Sequence, residues 1–367
     1  MNAANSPSKR LISLDALRGF TIAGMIMVNV PGSWSHIYSP LRHAEFNGLT
    51  LADLVFPFFL FIVGASIVLA FGKRIENGMT KSALIKKVIY RTLVIFLLGV
   101  FLNWLSDNFT FPIRIAGVLQ RIALCYLVGS LLFLYASKLT MILVGSILLI
   151  GYWILTMFVP VPGEGKVIFT HEMNWAAWVD GQLLPGKMYF GTWDPEGILS
   201  TLPAILNTLL GIFATILISK SDVHLKKVKA LLLFGSSLLI AGLLLSSSFP
   251  INKNVWSSSF VLVTSGLASM LWSILIYFID IKGYKKWAMP GIIFGSNAIT
   301  AYVLHYLFHY PFEAIKFGGI SIQHHFMTFF SGFLSDNLAS LFWAIFYTFV
   351  CFLPIWWMYR KKIFLKV

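Results

Sequence analysis

The chain alternates long apolar runs with short polar interruptions. A helix that crosses a bilayer needs about 20 mostly apolar residues. The runs at 11–30, 51–71, 88–105, 115–136, 139–159, 197–219, 229–249, 257–279, 288–309 and 338–358 meet that length. Residues 310–337 are apolar but broken by Gly318-Gly319 and His324-His325, which leaves a loop, a re-entrant piece and an eleventh helix open. The pattern predicts an all-α fold, a polytopic membrane helix bundle of about ten and at most eleven transmembrane helices. The expected organisation is a tail at 1–10, a transmembrane domain at 11–359 and a second tail at 360–367.

Composition narrows the class. Charged residues make up 11% of the chain and hydrophobic residues 58%, with a mean hydropathy of +0.81, whereas soluble domains carry about 25% charged residues. The net charge of +14 would suggest nucleic acid in a soluble chain. Here the basic residues follow the spans. With the N-terminus inside, Lys9, Arg10, the 73–91 and 220–229 segments, Lys138, the 282–286 loop and the C-terminal tail share one side. The other side holds Arg42, Arg114, Lys166, Lys187, Lys253 and Lys316. This positive-inside bias puts both termini in the cytoplasm and 31–50 and 160–196 outside. It makes the lipid bilayer, not nucleic acid, the partner of the basic surface. Cys125 and Cys351 lie in apolar runs without metal-ligand spacing, so no structural disulfide is expected. The first run carries Asp15 and Arg18 and lacks a small-residue cleavage site, which predicts a retained helix and not a signal peptide.

The stretch 27–61 concentrates the candidate chemistry. It places His36, Arg42, His43, Glu45 and Asn47 between two membrane-grade helices, with Asn29 ending the first and Asp53 in the first turn of the second. Thr50-Leu51-Ala52-Asp53 has the spacing of a capping box, and an acid suits a helix N-terminus. Asp53 therefore reads as a cap that could also orient a neighbour. Asn29 reads equally as a helix cap, and His43 as a solvated loop residue or a proton acceptor. A helix over 114–121 would put Arg114 and Arg121 on one face about 10 Å apart. Gln120 and Arg121 would then lie inside the membrane, where charge is costly and usually functional. Pairing with Asp107, Asp194 or Glu196 is the structural alternative.

Other polar positions are more ambiguous. Asp15 and Arg18 suit a local ion pair, yet Arg18 and Asn29 are nearly three turns apart, which predicts a polar stripe along the first helix. Asp194-Pro195-Glu196-Gly197 predicts a helix start with Asp194 at the N-cap and Pro195 at N1. Ser296, Asn297, Thr300 and His305 are polar points in an apolar run, readable as glue between helices. His305 and His309 share a face, but no carboxylate completes a metal site. H-E-x-x-H, Walker A and G-x-G-x-x-G do not occur, so no metal and no nucleotide fold is expected. The aromatics of 160–196 suit an interface belt or a sugar-stacking surface.

Five segments in order carry a resemblance: SLDALRGFTIAGMIMVNV, HAEFNGLTLADLVFPFFLFIVG, RIAGVLQRIALCY, DPEGILST and GSNAITAYVLH. Together they resemble the heparan-α-glucosaminide N-acetyltransferase family, a lysosomal enzyme and its bacterial relatives. The chain starts at the family's first motif helix and is expected to lack the lumenal N-terminal domain of the lysosomal member. The resemblance implies transfer of an acetyl group from cytosolic acetyl-CoA to an amino sugar or glycan across the membrane. It places the family's essential histidine on His43 and its partner asparagine on Asn29, with Asp53 beside them as the third catalytic expectation. It places the Arg114–Arg121 motif and the Asn297-His305 motif in the pocket region. The residues expected to bind acetyl-CoA are Arg18, Arg114, Gln120, Arg121, Asn297 and His305, and those expected to bind the acceptor are Asp194, Glu196 and Asn47. Ala116 stands where the family commonly has proline. The bacterial inner membrane is the expected location, and a homodimer is compatible with the resemblance. Two other readings remain: an O-acyltransferase of envelope glycans, and a transporter for a sugar or acid. Many transporters show paired inverted halves, and none is visible here.

Overall fold

The computed structural model describes residues 11–365 of the 367-residue chain. The expected tail at 1–10 and the last two residues of the tail at 360–367 lie outside them. The helices are α1 (Ile12–Asn29), α2 (Leu51–Glu76), α3 (Lys81–Ser106), α4 (Val118–Tyr135) and α5 (Lys138–Phe158). They continue with α6 (Trp175–Leu183), α7 (Ile198–Ser219), α8 (His224–Leu245), α9 (Ser258–Ile281), α10 (Met289–Ser296) and α11 (Ala298–Ala314). The last two are α12 (Ile322–Ser331) and α13 (Asp336–Arg360). A two-residue hairpin, β1 (Lys316–Phe317) with β2 (Ile320–Ser321), is the sole paired sheet among the described residues.

Nine of these helices are long and apolar enough to cross a membrane, and the bent pair α10–α11 supplies a tenth. The apolar runs therefore locate the bundle. Several helices outlast them: α2 and α3 continue through Lys73, Arg74, Lys81, Lys86 and Lys87, so most of the basic 73–91 stretch is helix, turning at Asn77-Gly78.

Burial separates centre from rim. In α7 and α9, 78% of the apolar window is buried, against 22% in α5 and α8. Apolar side chains on the rim lose nothing in lipid, so packing must come from close backbone approach. Glycine permits it at two crossings. A Cβ on Gly64 of α2 would lie 1.9 Å from the Thr208 carbonyl oxygen of α7, and one on Gly211 would lie 2.0 Å from that of Phe61. The α1–α10 crossing is tighter still, with a Cβ on Gly19 falling 1.6 Å from the Gly291 carbonyl oxygen.

The expected helix at 288–309 is not one helix. It breaks at Asn297, where φ is −137° and ψ 50°, and the two halves meet at 86°. Gly295-Ser296-Asn297 explains the break, since small and side-chain-bonding residues weaken a helical ladder. The amide of Asn297 then holds the chain end: Nδ2 donates to the Ile363 carbonyl at 3.0 Å, and Oδ1 accepts from the Leu365 amide at 2.8 Å. From there α11 passes His305, whose carbonyl accepts the Tyr347 hydroxyl of α13. Residues 310–337 contain the end of α11, the hairpin and the ten-residue α12; among the described residues no further spanning helix lies there.

Candidate active site

Three connecting segments meet at one end of the bundle. The Gly48 amide donates to the Ile251 carbonyl at 2.8 Å. Asn252 Nδ2 donates to Asn47 Oδ1 at 3.0 Å, and Asn254 Nδ2 to the Glu45 carbonyl at 3.1 Å. His171 Nε2 reaches the same carbonyl at 2.6 Å, and Phe46 packs between Phe169 and His171. Asn47, expected to bind the acceptor, joins two loops through its Oδ1.

At the centre of this end, His43 Nδ1 lies 2.7 Å from Asp53 Oδ1. Asp53 is fully buried, and the His43 side chain is 36% exposed. The other Asp53 oxygen accepts from the Thr50 amide at 3.1 Å, the Thr50 hydroxyl at 3.0 Å and the Ala44 amide at 3.2 Å. Both readings of Asp53 are therefore realised: one oxygen closes the capping box that starts α2, and the other fixes the histidine. A carboxylate only accepts, so the contact assigns the hydrogen to Nδ1 and leaves the lone pair on Nε2.

A third side chain joins this pair and was not singled out in the sequence. Lys253 Nζ stands 3.1 Å from His43 Nδ1, 3.2 Å from Nε2 and 3.7 Å from Asp53 Oδ1. Near-equal distances to both nitrogens put the amine over the face of the imidazole, because an in-plane position would collide with Cε1. Burial pushes the Lys253 ammonium below the ordinary lysine range, against the pull of the Asp53 and Glu196 carboxylates. Its turn is rigidly held. Asn252 Oδ1 accepts from the Val255 amide at 3.1 Å, and the Ser257 amide donates to the Asn252 carbonyl at 2.9 Å. Trp256 occupies the left-handed region at φ 55°, a costly conformation for a bulky side chain. Its indole donates to Asn207 Oδ1 at 2.8 Å.

Trp256 also links this cluster to the arginines, for its ring lies 4.9 Å from the Arg121 guanidinium. The two arginines do not share a helical face as expected. α4 begins at Val118, and Arg114 sits in an extended stretch paired with Gly186. The β-branched Ile113 and Ile115 favour that conformation. Gly186, at φ 85°, allows the approach, since a Cβ there would lie 2.1 Å from the Ile113 carbonyl oxygen. Asn103 Nδ2 satisfies the freed carbonyls of Arg114 and Ala116 at 3.0 and 2.7 Å.

Arg114 grips Asp194 with two bonds of 2.7 Å and Glu196 with one of 2.6 Å, and stacks on Tyr189. Burial alone would lower its pKa, but the Asp194 bond and the Glu196 charge outweigh it, so the guanidinium stays charged. The pairing with Asp194 and Glu196 is the structural alternative named for these residues. Asp194 is not the N-cap expected for the next helix. It accepts from the Tyr189 and Glu196 amides, and α7 starts later, with Gly197 at the cap. The carboxylate that meets the first turn is Asp180, which accepts from the Ile198 amide at 2.8 Å. Burial pushes its carboxyl up to about 6.

Arg121 is 1% exposed, and its bonds go to neutral oxygens: the Ser200 and Thr201 hydroxyls and the Gly197 carbonyl. Its Nη1, and Nε2 of the neighbouring Gln120, have no partner among the described residues. Arg114 and Arg121 thus converge on the same 194–201 segment by different routes.

The remaining expected residues make other contacts. Arg18 bonds to Asp15, Ser66 and the Gly295 carbonyl. On the helical face between it and Asn29 lie the buried Ile22, Met25 and Ile26, so along that face the expected polar stripe is two polar ends separated by apolar side chains. Asn29 is half-buried at the end of α1 and makes no side-chain hydrogen bond among the described residues. Asn297 holds the chain end, and His305 Nδ1 bonds to the Tyr302 carbonyl.

Comparison with known proteins adds a family. Residues 10–245 match the family described as heparan-alpha-glucosaminide N-acetyltransferase, catalytic. The chain is similar to the heparan-alpha-glucosaminide N-acetyltransferase of Homo sapiens, 29% identical over 98% of this chain and 60% of that protein. It is likewise similar to that of Mus musculus, 29% identical over 99% of this chain and 61% of that protein. The chain thus spans about three fifths of the length of these relatives.

Proposed function

The chain belongs to the heparan-alpha-glucosaminide N-acetyltransferase catalytic family, and from that premise we propose that it is a transmembrane N-acetyltransferase. It passes the acetyl group of acetyl-CoA to the amine of an amino sugar or glycan at the His43 end of the bundle. The observation that carries this reading is the 2.7 Å contact between His43 Nδ1 and the buried Asp53, which leaves Nε2 as the proton acceptor.

The acceptor amine attacks the thioester carbonyl carbon. A carbon–nitrogen bond forms, the carbon–sulfur bond breaks and CoA leaves as its thiolate, which takes up the proton that His43 has accepted. The proton lost by nitrogen goes to His43 Nε2, and Asp53 balances the charge while holding the ring. Asn29, which the resemblance pairs with His43, supplies an amide donor for the tetrahedral oxyanion. Arg121, buried and bonded to neutral oxygens, is the residue of this set best suited to an anionic group of the donor. The opposite end, with exposed Lys73, Lys86 and Lys87, faces the cytoplasm, where its field attracts the phosphates of CoA. In a bacterium this orientation puts the protein in the cytoplasmic membrane with both termini inside.

The test uses vesicles of known orientation. Acetyl-labelled acetyl-CoA supplied on the basic side, with glucosamine-type amines on the other, should give labelled amide. His43→Ala should fold and lose transfer by about 10²-fold or more, the scale of general-base loss. Near-normal turnover by His43→Ala, or label found on hydroxyls and never on amines, would overturn the reading.

A further inference from the structure

We propose that Lys253 is a positioning residue for the proton-accepting step: its ammonium takes the one positive charge that Asp53 can balance, and so keeps the His43 imidazole neutral. The inference rests on the acetyl-transfer reading above. It starts from contact geometry. Asp53 alone, 2.7 Å from Nδ1, would favour the imidazolium, because an adjacent opposite charge stabilises the charged form. That would spoil a base before it acted. Lys253 Nζ, 3.1 and 3.2 Å from the two ring nitrogens, opposes this. An ammonium over a neutral ring meets its negative face, whereas over an imidazolium it meets a second cation at contact distance, a strong repulsion even at protein-like screening.

The surroundings leave this balance to the three groups. Arg42 and Glu45 of the same loop pair with each other at 3.1 Å and are exposed. His171, from the segment before α6, spends Nε2 on the Glu45 carbonyl. Thr50 and the Ala44 amide bring no charge. Glu196 and Arg121 act on Lys253 with opposite signs and from farther away. The turn at 252–257 is pinned by Asn252 and Ser257, both fully buried, so Lys253 is held in place and does not sample solvent freely.

The arrangement also balances protons. When His43 Nε2 takes the proton from the acceptor nitrogen, two cations would share one carboxylate. That state is transient: His43 passes its proton to the departing CoA thiolate, and Lys253 keeps its charge throughout.

The experiment is the pH profile of kcat/KM for the full-length wild type, Lys253→Gln, Lys253→Met and Lys253→Arg in vesicles. The neutral variants should move the acid limb upward by about 1–3 pH units, losing activity on the acid side and recovering toward alkaline pH. Lys253→Arg, permanently charged, should keep the wild-type acid limb. A folded neutral variant with an unmoved limb overturns the inference, as does the same shift in Lys253→Arg. Failure of both neutral variants to fold beside a folded Lys253→Arg would make the charge a folding requirement, and overturns it too. The two readings fail separately: wild-type transfer that survives loss of His43 sinks the acetyl-transfer reading, whereas an unmoved limb with His43 dependence intact sinks the role of Lys253 alone.

Discussion

Replacing Asp53 by asparagine keeps the side chain's shape and removes its charge. In the native site one oxygen meets His43 Nδ1 at 2.7 Å, and the other meets two backbone N–H groups and the Thr50 hydroxyl at 3.0–3.2 Å. An amide has one acceptor oxygen and cannot serve both sides. With that oxygen turned to His43, its NH2 abuts two fixed N–H donors, and the unmet polar groups cost about 1–3 kcal/mol. With the oxygen turned to Thr50 and Ala44, the cap survives and the NH2 faces Nδ1. The ring must then carry its hydrogen on Nε2, where it can no longer accept a proton. The second arrangement is the cheaper, so the variant should fold with the wrong tautomer. The expected loss in kcat is about 10²–10⁴-fold, the range for a positioned base and for the equivalent substitution in a catalytic triad. That corresponds to about 3–5 kcal/mol of barrier. The assay is single-turnover transfer to saturating amine, alongside thermal unfolding in detergent to confirm the folded fraction. A folded Asp53→Asn enzyme within about threefold of wild type would refute the tautomer argument.

Two further outcomes follow from the neighbouring charges. Arg114→Leu should cost about 3–5 kcal/mol of stability, because it strands the buried Asp194 and the nearly buried Glu196; an unfolding midpoint equal to wild type would show that these carboxylates find other partners. Asp180 titrates at about 6 when folded, against an ordinary 3.8. The folded state therefore binds its proton more tightly, so the carboxylate destabilises above about pH 6, by about 3 kcal/mol, and the cost fades as the pH falls toward 3.8. Asp180→Asn should remove that slope from the stability profile, and a profile unchanged in the folded variant counts against the argument.

Much of the architecture was legible because a bilayer demands long apolar runs, and few other structures need them. Helix ends were less legible: lipid sets where apolar residues stop, not where α2 and α3 stop hydrogen bonding. The break at Asn297 escaped because hydropathy passes unchanged through Gly295-Ser296. At the site, Asp53 was readable from the local spacing of its capping box. His43 stood out through the family motif. The extended path of Arg114 depends on Gly186, and Lys253 depends on His43, more than 200 residues away. No local pattern encodes such contacts. A lone lysine between two asparagines in a loop looks like any solvated turn until the fold brings it over the imidazole.

The grip of Asn297 on the chain end has a consequence for how this region can vary. The amide engages main-chain groups only, the Ile363 carbonyl and the Leu365 N–H, much as one strand engages its neighbour. It reads the path of the tail and is blind to the side chains there. Exchanging Ile363 for another residue, or Leu365 for any but proline, leaves both bonding groups in place. Inserting a single residue between Arg360 and Ile363 shifts the carbonyl and the N–H out of phase and loses both. At this corner of the molecule, the spacing of the chain matters to the contact and the side chains do not.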